Sequence, residues 1–283
     1  MRISIFLFIA GCTFTAHAAA KTKITCIGNS ITYGYGVNEN QAYPYRLQQL
    51  FGTTQYTVEN DGVNATTLMK NGDNPYWKNG KLPQVFAFQP DIITIKLGTN
   101  DTKPQNWNVH WHEFKGDYLA MIDTLSSMAS KPKIWLVLPV PVFNNPVGAS
   151  WGIRDSVIKK IIPIIREIST ERGLSVIDAN TPLQPFPQYF SADGVHPDAT
   201  GLDTIARVIY RALRGATAIK HSHSILYGMP LSSREIAMGI GIPGPYPVSA
   251  AFKLFDLSGR RIHWQRYRQQ EKRPVYRWYI ISR

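Results

Sequence analysis

The sequence predicts a three-layer α/β/α domain on a five-stranded parallel sheet, followed by a small β-rich C-terminal appendage. Three observations carry that expectation. Five short apolar runs, several dense in Ile and Val and without polar alternation, read as strands buried on both faces. Helically spaced patterns separate them, and repeated strand–helix alternation implies a parallel sheet covered on both sides. Past about Arg214 the pattern gives way to Gly/Pro-rich chain and hairpin-like alternation.

In chain order, Arg2, the apolar run Ile3–Ala10 and the small residues ending at Ala20 follow the charged, apolar, small-residue order of a secretory signal peptide. Residues 1–20 are therefore expected to direct export to the periplasm, cell surface or medium of a bacterium. Ile9-Ala10-Gly11-Cys12 also resembles a bacterial lipobox, with Cys12 lipidated. Cleavage there would leave an unusually short signal, so cleavage after Ala18 or Ala20 is preferred, and the lipoprotein alternative stays open. No apolar stretch approaches the roughly 20 residues needed to span a bilayer, so membrane contact is expected only through a lipid anchor or a sorting tail.

The expected main domain covers residues 21–215. Its strands are Ile24–Ile27, Tyr56–Val58, Ile92–Leu97, Ile134–Leu138 and Leu174–Ile177. Cys26, in the first, loses its only companion if Cys12 is removed or lipidated, and reads as a buried free thiol. Helices are expected over Tyr43–Leu50, Phe114–Met128, Val157–Ile168 and Leu202–Leu213, with a kink or break at Pro163. Residues 216–247 read as a linker. In residues 248–283, Val248–Leu257 and Arg261–Tyr267 flank the turn Ser258-Gly259 as a hairpin.

The formal charge of +12 is concentrated at the end. Residues 214–283 carry twelve Lys and Arg against Glu235, Asp256 and Glu271, leaving the first 213 residues near balance. The basic tail is read as a surface-facing segment, and nucleic acid is not expected as a partner.

In a parallel sheet, reactive groups belong to the loops beyond the carboxyl ends of the strands. Ser30, in Gly28-Asn29-Ser30-Ile31-Thr32, follows the first strand, where glycine permits a tight turn. Gly62, in Asn60-Asp61-Gly62-Val63-Asn64, follows the second and could offer its N–H to a developing oxyanion. Asn100, in Leu97-Gly98-Thr99-Asn100-Asp101, ends the third and could offer a side-chain amide. Asp193-Gly194-Val195-His196-Pro197 precedes the last helix. A histidine is the natural base near neutral pH, and a carboxylate three residues earlier can orient it. Serine needs such a base before it becomes a useful nucleophile. Each feature alone has an ordinary reading: a helix cap for Ser30, a turn glycine, an Asx turn, a surface histidine.

Their order changes the weight. Ser, Gly, Asn and Asp-x-x-His, spread over about residues 24–213, resemble the four blocks of the SGNH/GDSL hydrolase superfamily. The resemblance implies a flavodoxin-like sheet, Ser30 as nucleophile, His196 as base supported by Asp193, and an oxyanion hole from the Ser30 N–H, the Gly62 N–H and the Asn100 amide. One departure is visible, since the first block usually reads Gly-Asp-Ser and here has Asn29 before Ser30. Three longer stretches, Gly62 to Thr67, Gly72 to Trp77 and Gly98 to Trp107, look like the branch of sialate O-acetylesterases and acetylxylan esterases. That branch implies an acetylated carbohydrate as substrate, an acetyl-enzyme intermediate, and neither cofactor nor metal.

Trp77, Trp107, Trp111 and Trp151 fall in or beside loops expected at the active edge. Trp77, Trp107 and Trp151, with Asn64, are candidate substrate contacts, with core packing an equal alternative for the tryptophans. Pro139-Val140-Pro141 is expected to shape the rim. Gly239-Ile240-Gly241-Ile242-Pro243-Gly244 fits a dinucleotide-loop pattern but lacks a surrounding βαβ unit. His110, His112, His221 and His223 lack the companions of a metal site. The tail around Phe252–Arg260 resembles type IX secretion sorting domains, or is a small appendage on the main domain. Two rival functions remain from the residues alone: hydrolysis of a lipid, thioester or other non-sugar ester, and a non-catalytic glycan-binding surface protein.

Overall fold

The computed structural model describes residues 20–143, 151–226, 254–255 and 261–262. The expected signal peptide, the lipobox and most of the tail lie outside the described residues. The chain divides between Ser222 and His223 into two compact units.

In the first unit, strands β1 (Thr22–Gly28), β2 (Tyr56–Gly62), β3 (Ile92–Lys96), β4 (Lys133–Val137) and β5 (Ser175–Ile177) form one sheet in the order β2-β1-β3-β4-β5. Every pairing is parallel. The register sets Gly28 opposite Gly62 on one side and Lys96 on the other, so the loops after β1, β2 and β3 open at one edge.

Successive side chains alternate between faces, and each face buries its own core. Ile27, Ile93, Ile95 and Leu136 pack against α3 (Lys81–Phe88), α4 (Pro104–His110), α5 (Phe114–Ser126) and α6 (Asp155–Arg172). Ile24, Cys26, Trp135, Val137 and Ile177 pack against α1 (Ser30–Tyr33), α2 (Tyr43–Phe51) and α7 (Ala199–Leu226). This is the expected α/β/α layering. Cys26 is free and fully buried, and burial pushes its thiol up to about 12. Lys96 ends β3 with its ammonium group buried and unpaired among the described residues, and burial lowers it to about 7.

Two expectations need correction. Pro163 does not break α6, which runs through it from Asp155 to Arg172. Pro163 and Lys159, whose carbonyl loses its amide partner there, both lie on the exposed side, where water can replace the missing donor. Helix α7 does not end near Leu213 but continues to Leu226, into the segment read as a linker. In the second unit Leu254–Phe255 and Arg261–Ile262 pair antiparallel across the expected turn, Leu254 opposite Ile262 and Phe255 opposite Arg261. The rest of that hairpin lies outside the described residues.

Candidate active site

Ser30 is the first residue of α1, directly beyond β1. Asn29 caps that helix: its Oδ1 accepts the Ile31 N–H at 3.1 Å. Asn29 is fully buried, so an amide oxygen caps here without the desolvation that a carboxylate would suffer. Ser30 keeps 8% of its surface accessible and His196 4%, so the pair is shielded yet reachable.

The Ser30 hydroxyl lies 2.9 Å from His196 Nε2 across the sheet edge. On the other side of the ring, His196 Nδ1 lies 2.6 Å from Asp193 Oδ2. An ionised Asp193 can only accept, so Nδ1 carries the proton, Nε2 is bare, and the serine O–H donates to it. Asp193 Oδ1 serves the backbone, accepting the N–H groups of Val195 at 2.8 Å and His196 at 2.9 Å and the Ser191 hydroxyl at 2.8 Å. Burial of Asp193 resists its charge, but these hydrogen bonds outweigh it and hold the carboxyl below its ordinary value of 3.8. Gly194 makes the turn possible, with a φ of 68° that a side chain would strain. The three residues can move a proton from serine to histidine and stabilise the imidazolium that results.

Asn100 stands where it was expected, at the start of the turn after β3. Its Nδ2 donates to Thr66 O at 3.0 Å, which fixes the amide and leaves a second N–H. Asn106 holds the Asn100 carbonyl from behind at 2.9 Å. Next to it, the fully buried Asp101 accepts the Leu68 and Met69 N–H groups at 3.0 and 2.8 Å. Burial dominates this carboxyl and raises it to about 6. The 73–106 contact closes the same loop, Asp73 meeting Lys103 at 3.0 Å and Asn106 at 2.9 Å.

Gly62 does not fill the expected role. Val63 donates to Gly28 O on β1, and strand alternation turns the preceding Gly62 N–H away from β1 to the open sheet edge. There Asn60 Oδ1 accepts it at 3.0 Å. The residue is glycine because an added Cβ would lie 2.1 Å from the Tyr33 backbone nitrogen. The same loop instead presents Ala65, which sequence reasoning missed. It has a φ of 62°, precedes the Thr66 carbonyl that holds Asn100, and its N–H meets no acceptor among the described residues.

The aromatic candidates separate. Trp107 is buried edge-on against Phe114. Trp77 donates its indole N–H to Leu68 O at 2.9 Å, and Lys70 covers its ring at 4.4 Å. Both are packing residues, which corrects their assignment to substrate. Trp111 is exposed beside His112. Trp151 does reach the site, its ring centre 5.9 Å from that of His196. Tyr35, which no sequence signal marked, approaches the same imidazole at 4.7 Å. Asn64 is exposed in a cleft of about 350 Å³ lined also by Tyr33, Gly62, Val63, Asn79, Lys81 and Gln84. In the stretch expected to shape the rim, Val140 is buried, and Asn180 Nδ2 donates to the Pro139 carbonyl at 2.8 Å. His110 is engaged by Glu113 at 3.0 Å.

A family model described as the GDSL-like Lipase/Acylhydrolase family matches residues 26–203. An acetylxylan esterase of Xylanibacter ruminicola is 36% identical over 212 residues, covering 68% of this chain and 43% of that protein. A multidomain esterase of Ruminococcus flavefaciens is 25% identical over 256 residues, covering 76% of this chain and 31% of that one. The chain thus spans less than half the length of these curated relatives. Among solved structures, a carbohydrate acetylesterase family member from Sinorhizobium meliloti superposes with a TM-score of 0.55 at 21% identity, covering 68% of this chain and 97% of its own. An M. smegmatis aryl esterase gives 0.57 at 17% identity, covering 69% and 99%. Those structures share the fold, and with the family match over most of the main domain the chain belongs to the GDSL-like lipase/acylhydrolase family.

Proposed function

We propose that this chain is a serine carboxylic ester hydrolase that removes O-acetyl groups from a glycan, with acetylated xylan the favoured substrate. The observation that carries the chemistry is the continuous relay from Ser30 Oγ through His196 to Asp193, at 2.9 and 2.6 Å. The glycan reading is supported by the acetylxylan esterase relative and by Trp151, the candidate substrate contact whose ring lies beside His196, with Asn64 exposed in the cleft beside α1 as a second candidate.

In this mechanism His196 Nε2 takes the Ser30 proton as the oxygen attacks the acetyl carbonyl carbon. Charge then gathers on the carbonyl oxygen, and the available donors are the Ser30 N–H, the second Asn100 Nδ2 hydrogen and the Ala65 N–H, in place of the occupied Gly62 N–H. As the intermediate collapses, the C–O bond to the sugar breaks and the imidazolium returns its proton to the departing sugar oxygen. A water deprotonated by His196 attacks the acetyl-Ser30 ester, releasing acetate and restoring the serine. Asp193 keeps the ring in the required tautomer throughout.

Export under the N-terminal segment completes the proposal, since polymeric glycans lie outside the cell. The tail is read as a sorting segment or as a small appendage.

The test is acetate release by wild type and Ser30→Ala from acetylated xylan, acetylated sialic acid and p-nitrophenyl acetate. Release from xylan that falls by roughly three or more orders of magnitude in the variant is expected. Serine-dependent release from the aryl ester alone would remove the glycan, and serine-independent release would remove the mechanism.

A further inference from the structure

Tyr35 and Trp151 stand together at the mouth of the site. Each is more than two-fifths exposed, at 43% and 42%, yet each packs a ring against the buried imidazole of His196. A single exposed aromatic is ordinary on a protein surface. Two neighbouring ones on the reactive histidine, both on firm supports, are not explained by core packing. The Tyr35 N–H is fastened to the Ser30 carbonyl at 2.9 Å, so the ring position is tied to the nucleophile itself. Three residues after Trp151, Arg154 is fastened twice to the Asn100 turn, its N–H to Thr102 Oγ1 at 3.0 Å and its Nε to Thr102 O at 2.8 Å.

We infer that Tyr35 and Trp151 form a sugar-binding corner, in which one pyranose ring of the acetylated chain stacks on an exposed aromatic face beside His196. The inference rests on the esterase reading for its choice of ligand. Its geometry selects the mode of binding. The two rings meet at 73° with centres 6.3 Å apart. A sugar held as a sandwich needs parallel rings roughly 7 Å apart, twice an ordinary carbon contact. A near-perpendicular pair instead supplies a floor and a wall: the apolar C–H face of the pyranose rests on one ring, and its edge meets the other.

The corner is tested by binding, separately from turnover. Ser30→Ala protein would be titrated calorimetrically with acetylated xylo-oligosaccharide, alone and with Tyr35→Ala, Tyr35→Phe or Trp151→Ala added. Either alanine change is expected to weaken affinity roughly five- to tenfold, the scale of one aromatic contact, and Tyr35→Phe to retain it. In the active enzyme the same alanine changes should lower kcat/KM for the oligosaccharide relative to p-nitrophenyl acetate by a similar factor, through KM. An unchanged ratio, or an equal fall in kcat on both substrates, would show that the rings only shield His196 and would overturn the corner. No measurable oligosaccharide affinity would overturn it too, while Ser30-dependent cleavage of the aryl ester would leave the esterase standing. Absence of that serine dependence would remove the esterase, with the binding series still deciding the corner.

Discussion

Between Ser191 and His196 the bonds that shape the turn are local, apart from the Phe143 N–H that donates to Gly194 O at 2.8 Å. Asp193 Oδ1 gathers the Val195 and His196 N–H groups, the Gly194 N–H reaches Ser191 O, and the Ser191 N–H reaches His196 O. Around Asn100 the fastening is long-range: Asn100 holds Thr66, and Asp101 holds Leu68 and Met69, partners 32 to 34 residues away. One carboxylate thus builds the turn that aims the histidine, whereas the other stitches two distant loops into one surface. A local turn keeps its shape when one side chain is cut back, because the remaining bonds lie within it. A stitched loop loosens where its stitch is cut, because the remaining ties between the two segments, from Asp73 to Lys103 and Asn106, lie farther along the loop.

That difference predicts where damage stays confined to chemistry. His196→Ala removes the base but leaves the two N–H bonds to Asp193 Oδ1, whose donors are backbone groups that the substitution does not touch. The expected outcome is the largest effect in the molecule, a fall in kcat of order 10⁴-fold or more with a nearly unchanged melting temperature. Comparable loss of kcat and of melting temperature would show that the turn is not self-sufficient. Asn100→Ala should cost less in rate, about 10²–10³ in kcat, the scale of one oxyanion donor. It should cost more in stability than His196→Ala, since the Thr66 carbonyl loses its partner in a buried place. Steady-state kinetics beside thermal melts of both variants would settle the ranking.

The same contrast explains what could be seen in the sequence. The strands were legible because both faces of the sheet are covered, which leaves Ile24–Ile27 or Ile92–Leu97 without polar interruption apart from Thr25, Thr94 and Lys96. Asp193 and His196 were legible because their partnership fits inside one turn. Asn100 could be placed by its position after β3, but its holders Thr66, Asn106 and Asp101 emerge only when the loops after β2 and β3 meet. Gly62 misled because its sequence position suits an oxyanion donor while strand alternation points its N–H outward. Trp77 and Trp107 misled because a loop location does not reveal which ring faces are already covered. Tyr35 carried no signal at all, since only the closed fold brings the segment after Ser30 back over His196.

Asp101→Asn sharpens the comparison with the smallest of these effects. An asparagine at this position offers one carbonyl oxygen to the Leu68 and Met69 N–H groups and turns N–H bonds toward the other, leaving a buried donor unpaired. The cost is about 1–3 kcal/mol of stability, with a fall in kcat of roughly tenfold as the Thr66 side of Asn100 loosens. The pH dependence separates the carboxyl from the stitch. In the folded chain Asp101 titrates at about 6, against 3.8 unperturbed, because burial penalises the charge. Between those values the folded protein holds a proton that the unfolded chain has released, so the stability contributed by Asp101 is greatest below 3.8 and falls as pH rises toward 6. Asparagine cannot titrate, so the stability advantage of wild type over Asp101→Asn should shrink across that interval in urea melts. A flat difference would mean that the two backbone donors cancel the effect of burial, and an advantage that grows with pH would mean that they outweigh it and that the loop is stitched by a charge.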